Sequence, residues 1–236
     1  MKEFGIIATA GESELRKLIH LRQELESVDV LEVRLDLCSP SFLSLEILKS
    51  LQAWKKQLLF TYRHPEDSSE NKKSKIKYER VSYLFDIYNN KNNFLDIDLK
   101  FGSGIFDKIQ NCNYSIIYSF HNFQRILKKE EMFELIQLAQ EKKYDGNKYY
   151  KFAVMPNSNE EAIQFLESSK ELSQNYPLIL IAMGKEGVVS RIYPEKFGSK
   201  FTYCCIEEPR APGQVKASEL ESIRKNFNGF FPSPNS

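Results

Sequence analysis

A chain of 236 residues holds one large α/β domain or two small ones, and 42% hydrophobic with 28% charged residues is the profile of an ordinary globular protein. A formal net charge of +1 argues against nucleic acid or an anionic membrane as partner. No apolar run approaches the roughly 20 residues of a membrane span, and Met1-Lys2-Glu3-Phe4-Gly5 leads straight into a strand rather than a signal peptide.

Eight apolar runs, rich in Ile, Val, Leu and aromatics, predict strands at 4–8, 30–37, 58–62, 94–99, 114–120, 150–155, 178–183 and 201–206. Between them, helical spacing predicts helices at 14–24, 43–55, 78–89, 128–141, 160–172 and 218–226, with the fourth and seventh connections carrying only short helices. Ser158 followed by Glu161 reads as a capping box for the helix at 160–172. The lysines at 72–77 read as a solvated loop, and residues 230–236, with Pro232 and Pro234, as a loose tail.

Strict alternation of strand and helix argues for a parallel sheet. Eight units of about 29 residues each fit a closed (β/α)8 TIM barrel, a single domain over residues 1–229. An open doubly wound sheet would need a Gly-rich phosphate turn after its first strand, and Ala8-Thr9-Ala10-Gly11-Glu12 is not one. The cysteines, Cys38, Cys112, Cys204 and Cys205, lack C-x-x-C spacing, so a zinc site is not expected and reduced thiols in a cytoplasmic protein are.

Barrels carry their chemistry at the C-terminal ends of the strands. The second strand runs Glu32-Val33-Arg34-Leu35-Asp36, and alternation puts its three charges on one face. Buried there, they must be paired with one another or used. The third strand leads to Arg63, the fifth to His121, and the sixth carries Lys151 among Phe152, Val154 and Met155. A lysine at a strand start often only snorkels its ammonium to water. Buried, its pKa falls, and the neutral amine is a nucleophile for carbonyls. Met183 and Gly184 close the seventh strand ahead of Arg191, and Ala211-Pro212-Gly213-Gln214 follows the eighth. A His, a Lys, a Glu and two Arg on one rim are hard to explain as packing alone.

These residues resemble the type I 3-dehydroquinate dehydratases along most of the chain. The shared patterns are Glu32-x-Arg34-x-Asp36, Phe60-Thr61-x-Arg63, Ser119-x-His121-x-Phe123, Lys151-x-Ala153-x-Met155-Pro156, Met183-Gly184-x-x-Gly187-x-x-Ser190-Arg191, Phe197-Gly198-Ser199 with Thr202-Tyr203, and Ala211-Pro212-Gly213-Gln214. Each is weak alone; seven in order are specific. The resemblance implies a (β/α)8 barrel that eliminates water from 3-dehydroquinate to give 3-dehydroshikimate through a Schiff base. It implies no metal, no added cofactor and a homodimer. Lys151 would form the imine and His121 would act as general acid and base. Arg191 would hold the substrate carboxylate, Glu32, Arg63 and Gln214 would bind the ring, and Arg34 would pair with Glu32 and Asp36. Met155, Met183, Phe123, Tyr203 and Ala211 would wall the pocket.

The chain departs from the family pattern in four places. The acidic residue that orients the histidine usually precedes two glycines; here that register gives Asp67, followed by Ser68 and Ser69, with Glu66 as the other candidate. Asn122 stands where an Asp often follows the histidine. Arg210 replaces a small residue before Ala211 and is expected to turn outward toward Glu207 or Glu208. The chain begins close to the first strand, which predicts that the N-terminal hairpin of some relatives is missing. Two other functions share parts of the pattern: another Schiff-base enzyme on the same fold, such as a class I aldolase, and a non-catalytic sensor of shikimate-type acids.

Overall fold

The computed structural model describes residues 3–18, 27–39, 42, 50, 56–64, 90–101 and 112–227. Eight parallel strands form one sheet: β1 (Gly5–Ala10), β2 (Val30–Arg34), β3 (Gln57–Thr61), β4 (Phe94–Asp98), β5 (Ser115–Asn122), β6 (Lys148–Val154), β7 (Leu178–Ala182) and β8 (Phe201–Cys205). The order β7-β6-β5-β4-β3-β2-β1-β8 curls the sheet into a nearly closed (β/α)8 barrel, a single domain. At the seam between β7 and β8, Lys200 N–H donates to Leu178 O at 2.8 Å and Leu180 N–H to Ser199 Oγ at 3.0 Å. A backbone bond and the Ser199 hydroxyl thus satisfy edge groups that a ladder would otherwise pair.

All eight predicted strands are present, shifted by a few residues at their ends. The described helices are α1 (Glu12–Leu18), α2 (Lys129–Gln140), α3 (Asn159–Ser173), α4 (Val189–Ile192) and α5 (Leu220–Phe227). Helix α3 buries Ala162, Phe165, Leu166, Ser169 and Leu172, the i, i+3, i+4, i+7 stripe of an amphipathic helix. The short α4 and a 3-10 turn at Pro194–Phe197 make up the brief seventh connection. Almost all of the helix expected at 43–55, all of that at 78–89 and the tail at 230–236 lie outside the described residues.

Two expectations change in detail. Strand β2 stops at Arg34, and Leu35–Leu37 coil into a 3-10 turn. The cause is local: the Arg34 guanidinium takes Asp36 in a two-pronged pair at 2.8 and 2.7 Å, which bends the chain out of the extended form. At α3, Ser158 Oγ accepts from Glu161 N–H at 3.2 Å, but the Glu161 carboxylate turns to Asn157, accepting from its backbone N–H at 2.8 Å. Half of the capping box forms.

Two apolar layers result. One lies between strands and helices, with Leu31, Val33, Leu58, Phe60, Ile116, Phe152 and Leu180 among its members. The other fills the barrel with Ile7, Val30, Leu59, Phe94, Ile117, Ile179 and Ile181. At its N-terminal end Phe201 meets Phe94 and Tyr149 edge to face, and these two rings tilt against each other, with centroids 5.6–5.8 Å apart. This plug closes the N-terminal end, and the buried charged side chains of the barrel interior gather toward the C-terminal end.

The turn after β7 depends on Gly187, because a Cβ there would fall 2.2 Å from the carbonyl oxygen of Ala182. Gly187→Ala is expected to lose about 1–3 kcal/mol of stability through this backbone clash, read as a lower urea midpoint at unchanged m-value.

Candidate active site

Side chains on the inner face of the strands change from apolar to polar toward the C-terminal rim. Thr9, Glu32, Thr61, Asp96, Ser119 and Lys151 form the lower polar tier, and Arg34, Arg63, Asp98 and His121 lie nearer the mouth. Parallel strands are regularly staggered, so residues two apart on one strand serve successive tiers.

Each charge has a defined partner. Glu32 accepts from Thr9 Oγ1 and from Thr61 Oγ1, both at 2.6 Å. Its bonded partners are therefore two hydroxyls, while Arg34 is taken by Asp36. Lys151 Nζ sits 2.8 Å from Asp96 Oδ2 and 4.1 Å from the centroid of the Tyr203 ring. Ser119 Oγ donates to the other Asp96 oxygen at 2.5 Å. His121 Nδ1 lies 2.9 Å from Asp98 Oδ2, and its Nε2 lies 2.6 Å from Arg63 Nη1. The same Nη1 lies 3.0 Å from Nδ1. A guanidinium only donates, and the tautomer protonated on Nδ1 suits both the Asp98 acceptor and the shorter Nε2 contact.

Burial governs the protonation of this group. Desolvation pushes the Lys151 pKa down and Arg63 adds to that, outweighing the pull of Asp96. For Asp96, burial works against the carboxylate, but Lys151, Arg63 and His121 prevail and hold it well below the usual range. Burial first, then Arg63 and Lys151, drives His121 well below its ordinary value, so the imidazole is neutral near pH 7. Burial raises the Asp98 carboxyl.

Arg191 is 1% exposed and meets only carbonyls: Nη1 donates to Tyr203 O at 3.1 Å and Nη2 to Pro212 O at 3.2 Å. Its Nε has no partner, and burial pulls its pKa down to about 10. Among the described residues no carboxylate lies within ion-pair distance of it, which leaves a cation suited to an incoming anion. Its backbone is fixed by Thr202 Oγ1, which donates to Arg191 O at 2.8 Å.

These groups open on one cavity of about 760 Å³. The cavity brings together Glu32, Arg34, Arg63, His121, Phe123, Lys151, Met183, Arg191, Tyr203, Ala211 and Gln214 from six strands and the loops that follow them. Met155 stands apart from the lining, partly buried against the barrel interior. Glu66 and Asp67 lie outside the described residues. Arg210 does not turn to Glu207 or Glu208: it pairs with Glu14, Nη2 to Oε2 at 2.9 Å, while Glu207 takes Lys17 at 2.6 Å. Sequence reasoning missed Asp96 and Asp98. Their signal was the alternation Phe94-Leu95-Asp96-Ile97-Asp98, which puts two carboxylates on the inner face of β4.

Fold and site together define a (β/α)8-barrel enzyme that holds an amine and an imidazole against separate buried carboxylates at the open end. The family model for type I 3-dehydroquinase matches residues 7–229, and the chain belongs to that family. A 3-dehydroquinate dehydratase of Staphylococcus epidermidis is 30% identical over 239 residues, covering 94% of this chain and 98% of that one. The type I 3-dehydroquinate dehydratase of Clostridium difficile, solved with covalent modified comenic acid, superposes with a TM-score of 0.77 at 25% identity over 96% of this chain and 93% of its own. The Geobacillus kaustophilus 3-dehydroquinate dehydratase shares the fold at a TM-score of 0.78, with 24% identity over 98% and 93% of the two chains.

The depressed His121 pKa links stability to pH. As pH falls below about 6.5, the unfolded chain takes up a proton that the folded imidazole refuses, so this part of the stability is intact above that pH and lost below it. Wild type is expected to lose about 1.4 kcal/mol more than His121→Asn between pH 7.5 and 5.5, read from urea midpoints at each pH.

Proposed function

We propose that this chain dehydrates 3-dehydroquinate to 3-dehydroshikimate through an imine on Lys151. The observation that carries the proposal is a buried amine, 3% exposed, on the cavity floor with an ionised carboxylate at 2.8 Å and an imidazole above it. Loss of a proton from the Lys151 ammonium frees the lone pair that attacks the substrate ketone. Expulsion of water from the carbinolamine leaves a protonated imine, whose positive nitrogen Asp96 and the Tyr203 ring face stabilise in place of the ammonium.

That imine withdraws electrons from the adjacent carbon–hydrogen bond. His121 Nε2 takes the proton, with Arg63 moving from the lone pair to the substrate, and Asp98 steadies the imidazolium through Nδ1. The electron pair forms the new double bond as the hydroxyl departs with a proton returned by His121, so both groups leave from one face. Water then hydrolyses the imine and restores Lys151.

Arg191 would hold the carboxylate, with its Nε donor aimed at no protein acceptor. Glu32, Arg63 and Gln214 would take the ring hydroxyls, and Arg34 would keep the Asp36 turn in place. Phe123, Met183, Tyr203 and Ala211 would wall the ring, backed by Met155. The lysine supplies the electron sink, so the reaction as proposed uses neither metal nor added cofactor. We place the enzyme in the cytoplasm as a homodimer; no described helix is long and apolar enough to cross a membrane.

Borohydride reduction with 3-dehydroquinate is expected to fix a ligand-derived mass on the Lys151 peptide and to leave Lys151→Ala unlabelled. An adduct on a different lysine would overturn the assignment. His121→Ala is expected to retain trapping while steady-state turnover falls about 10²–10⁴-fold.

A further inference from the structure

The segment 206–214 that follows β8 has no regular structure, yet it supplies Gln214 to the cavity and the Pro212 carbonyl to Arg191. Its attachment to the barrel centres on one residue of α1. Glu14 is 2% exposed, and its Oε2 accepts from Gly11 N–H at 2.8 Å and from Arg210 Nη2 at 2.9 Å. Its other oxygen lies 3.4 Å from Glu208 N–H. Arg210 N–H donates to Gln214 Oε1 at 2.7 Å, which turns the amide so that Nε2 donates to Thr9 Oγ1 at 3.2 Å, next to Glu32. Gly184 N–H donates to Pro212 O at 3.1 Å, tying the same segment to the end of β7.

We infer that Arg210 and Glu14 form a latch that presets this segment over the cavity, and that Arg210 is a positioning residue for Gln214 and Arg191. The inference rests on the dehydratase reading for its kinetic form. A buried carboxylate needs its cation, so the segment cannot lift without leaving Glu14 with the Gly11 N–H as its one remaining donor. A released segment would let Gln214 and the Pro212 carbonyl wander, and substrate would then have to order them at the expense of affinity. The chemistry at Lys151 would be untouched once substrate was bound.

Arg210→Ala and Glu14→Gln are each expected to raise KM for 3-dehydroquinate about tenfold with kcat within about threefold. The double variant should be no worse than either single, and Arg210→Lys should recover most of the loss. Hydrogen exchange without ligand should show faster exchange of the amides at 206–214 in both single variants and unchanged protection of β4 and β6. A raised KM in Arg210→Ala alone, with Glu14→Gln kinetically normal, would make Arg210 a direct substrate contact and overturn the latch. Unchanged exchange in both variants would also overturn it. If wild type fails to turn over 3-dehydroquinate, the dehydratase reading falls, while the exchange measurement still decides the latch.

Discussion

The contact between Lys151 and Asp96 is the constraint around which the polar end of the barrel is arranged. At 2.8 Å and nearly without solvent, neither charge is tolerable alone. Removing one partner of such a pair leaves an uncompensated buried ion, a loss of several kcal/mol. Ser119 satisfies the second Asp96 oxygen and the Tyr203 ring lies against the ammonium, so the pair is enclosed by groups that suit its charges. The strands that carry it, β4 and β6, flank β5, which carries His121. One register therefore sets both the amine and the imidazole.

Division of labour between the two carboxylates of β4 follows from the period-2 strand. Asp96 and Asp98 share a face but sit one tier apart, so one meets Lys151 and the other His121. The lower carboxylate is held ionised by three neighbouring cationic or potentially cationic groups, and burial pushes the upper one toward its neutral form. Two similar side chains thus acquire different protonation behaviour from position alone. The imidazole between Asp98 and Arg63 is kept neutral first by burial and then by Arg63 and Lys151, the cations that also keep Asp96 charged. Lys151 and His121 both have depressed proton affinity, in each case through burial first, which eases loss of the ammonium proton and keeps the imidazole lone pair free.

Arg191 adds a cation without a carboxylate partner among the described residues, on the neighbouring side, after β7 and against Tyr203. Burial without a carboxylate is costly for a guanidinium, and the chain accepts it at the seam where β7 and β8 do not form a regular ladder. The irregular seam frees the Tyr203 carbonyl, which, with that of Pro212, directs the guanidinium toward the cavity. The incomplete closure of the barrel and its cationic site are one feature.

Much of this was legible in the chain. Alternating apolar runs placed all eight strands because strand and helix periods are local properties of side-chain pattern. The Glu32, His121, Lys151, Arg191 and Gln214 positions followed from strand ends and short motifs, since a parallel barrel sends all such ends to one rim. Partner choice was legible only in part. Arg34 was expected to pair with both Glu32 and Asp36 and takes Asp36; Arg210 was expected to turn to Glu207 or Glu208. Instead two threonine hydroxyls hold Glu32, and Arg210 reaches back 196 residues to Glu14. Asp96 and Asp98 were visible as letters but carried no motif. The sequence by itself determined which residues face inward and at which end, because that depends on periodicity along one strand. Only the tertiary structure decided which buried charges meet, because strand stagger and the path of the final loop set those distances.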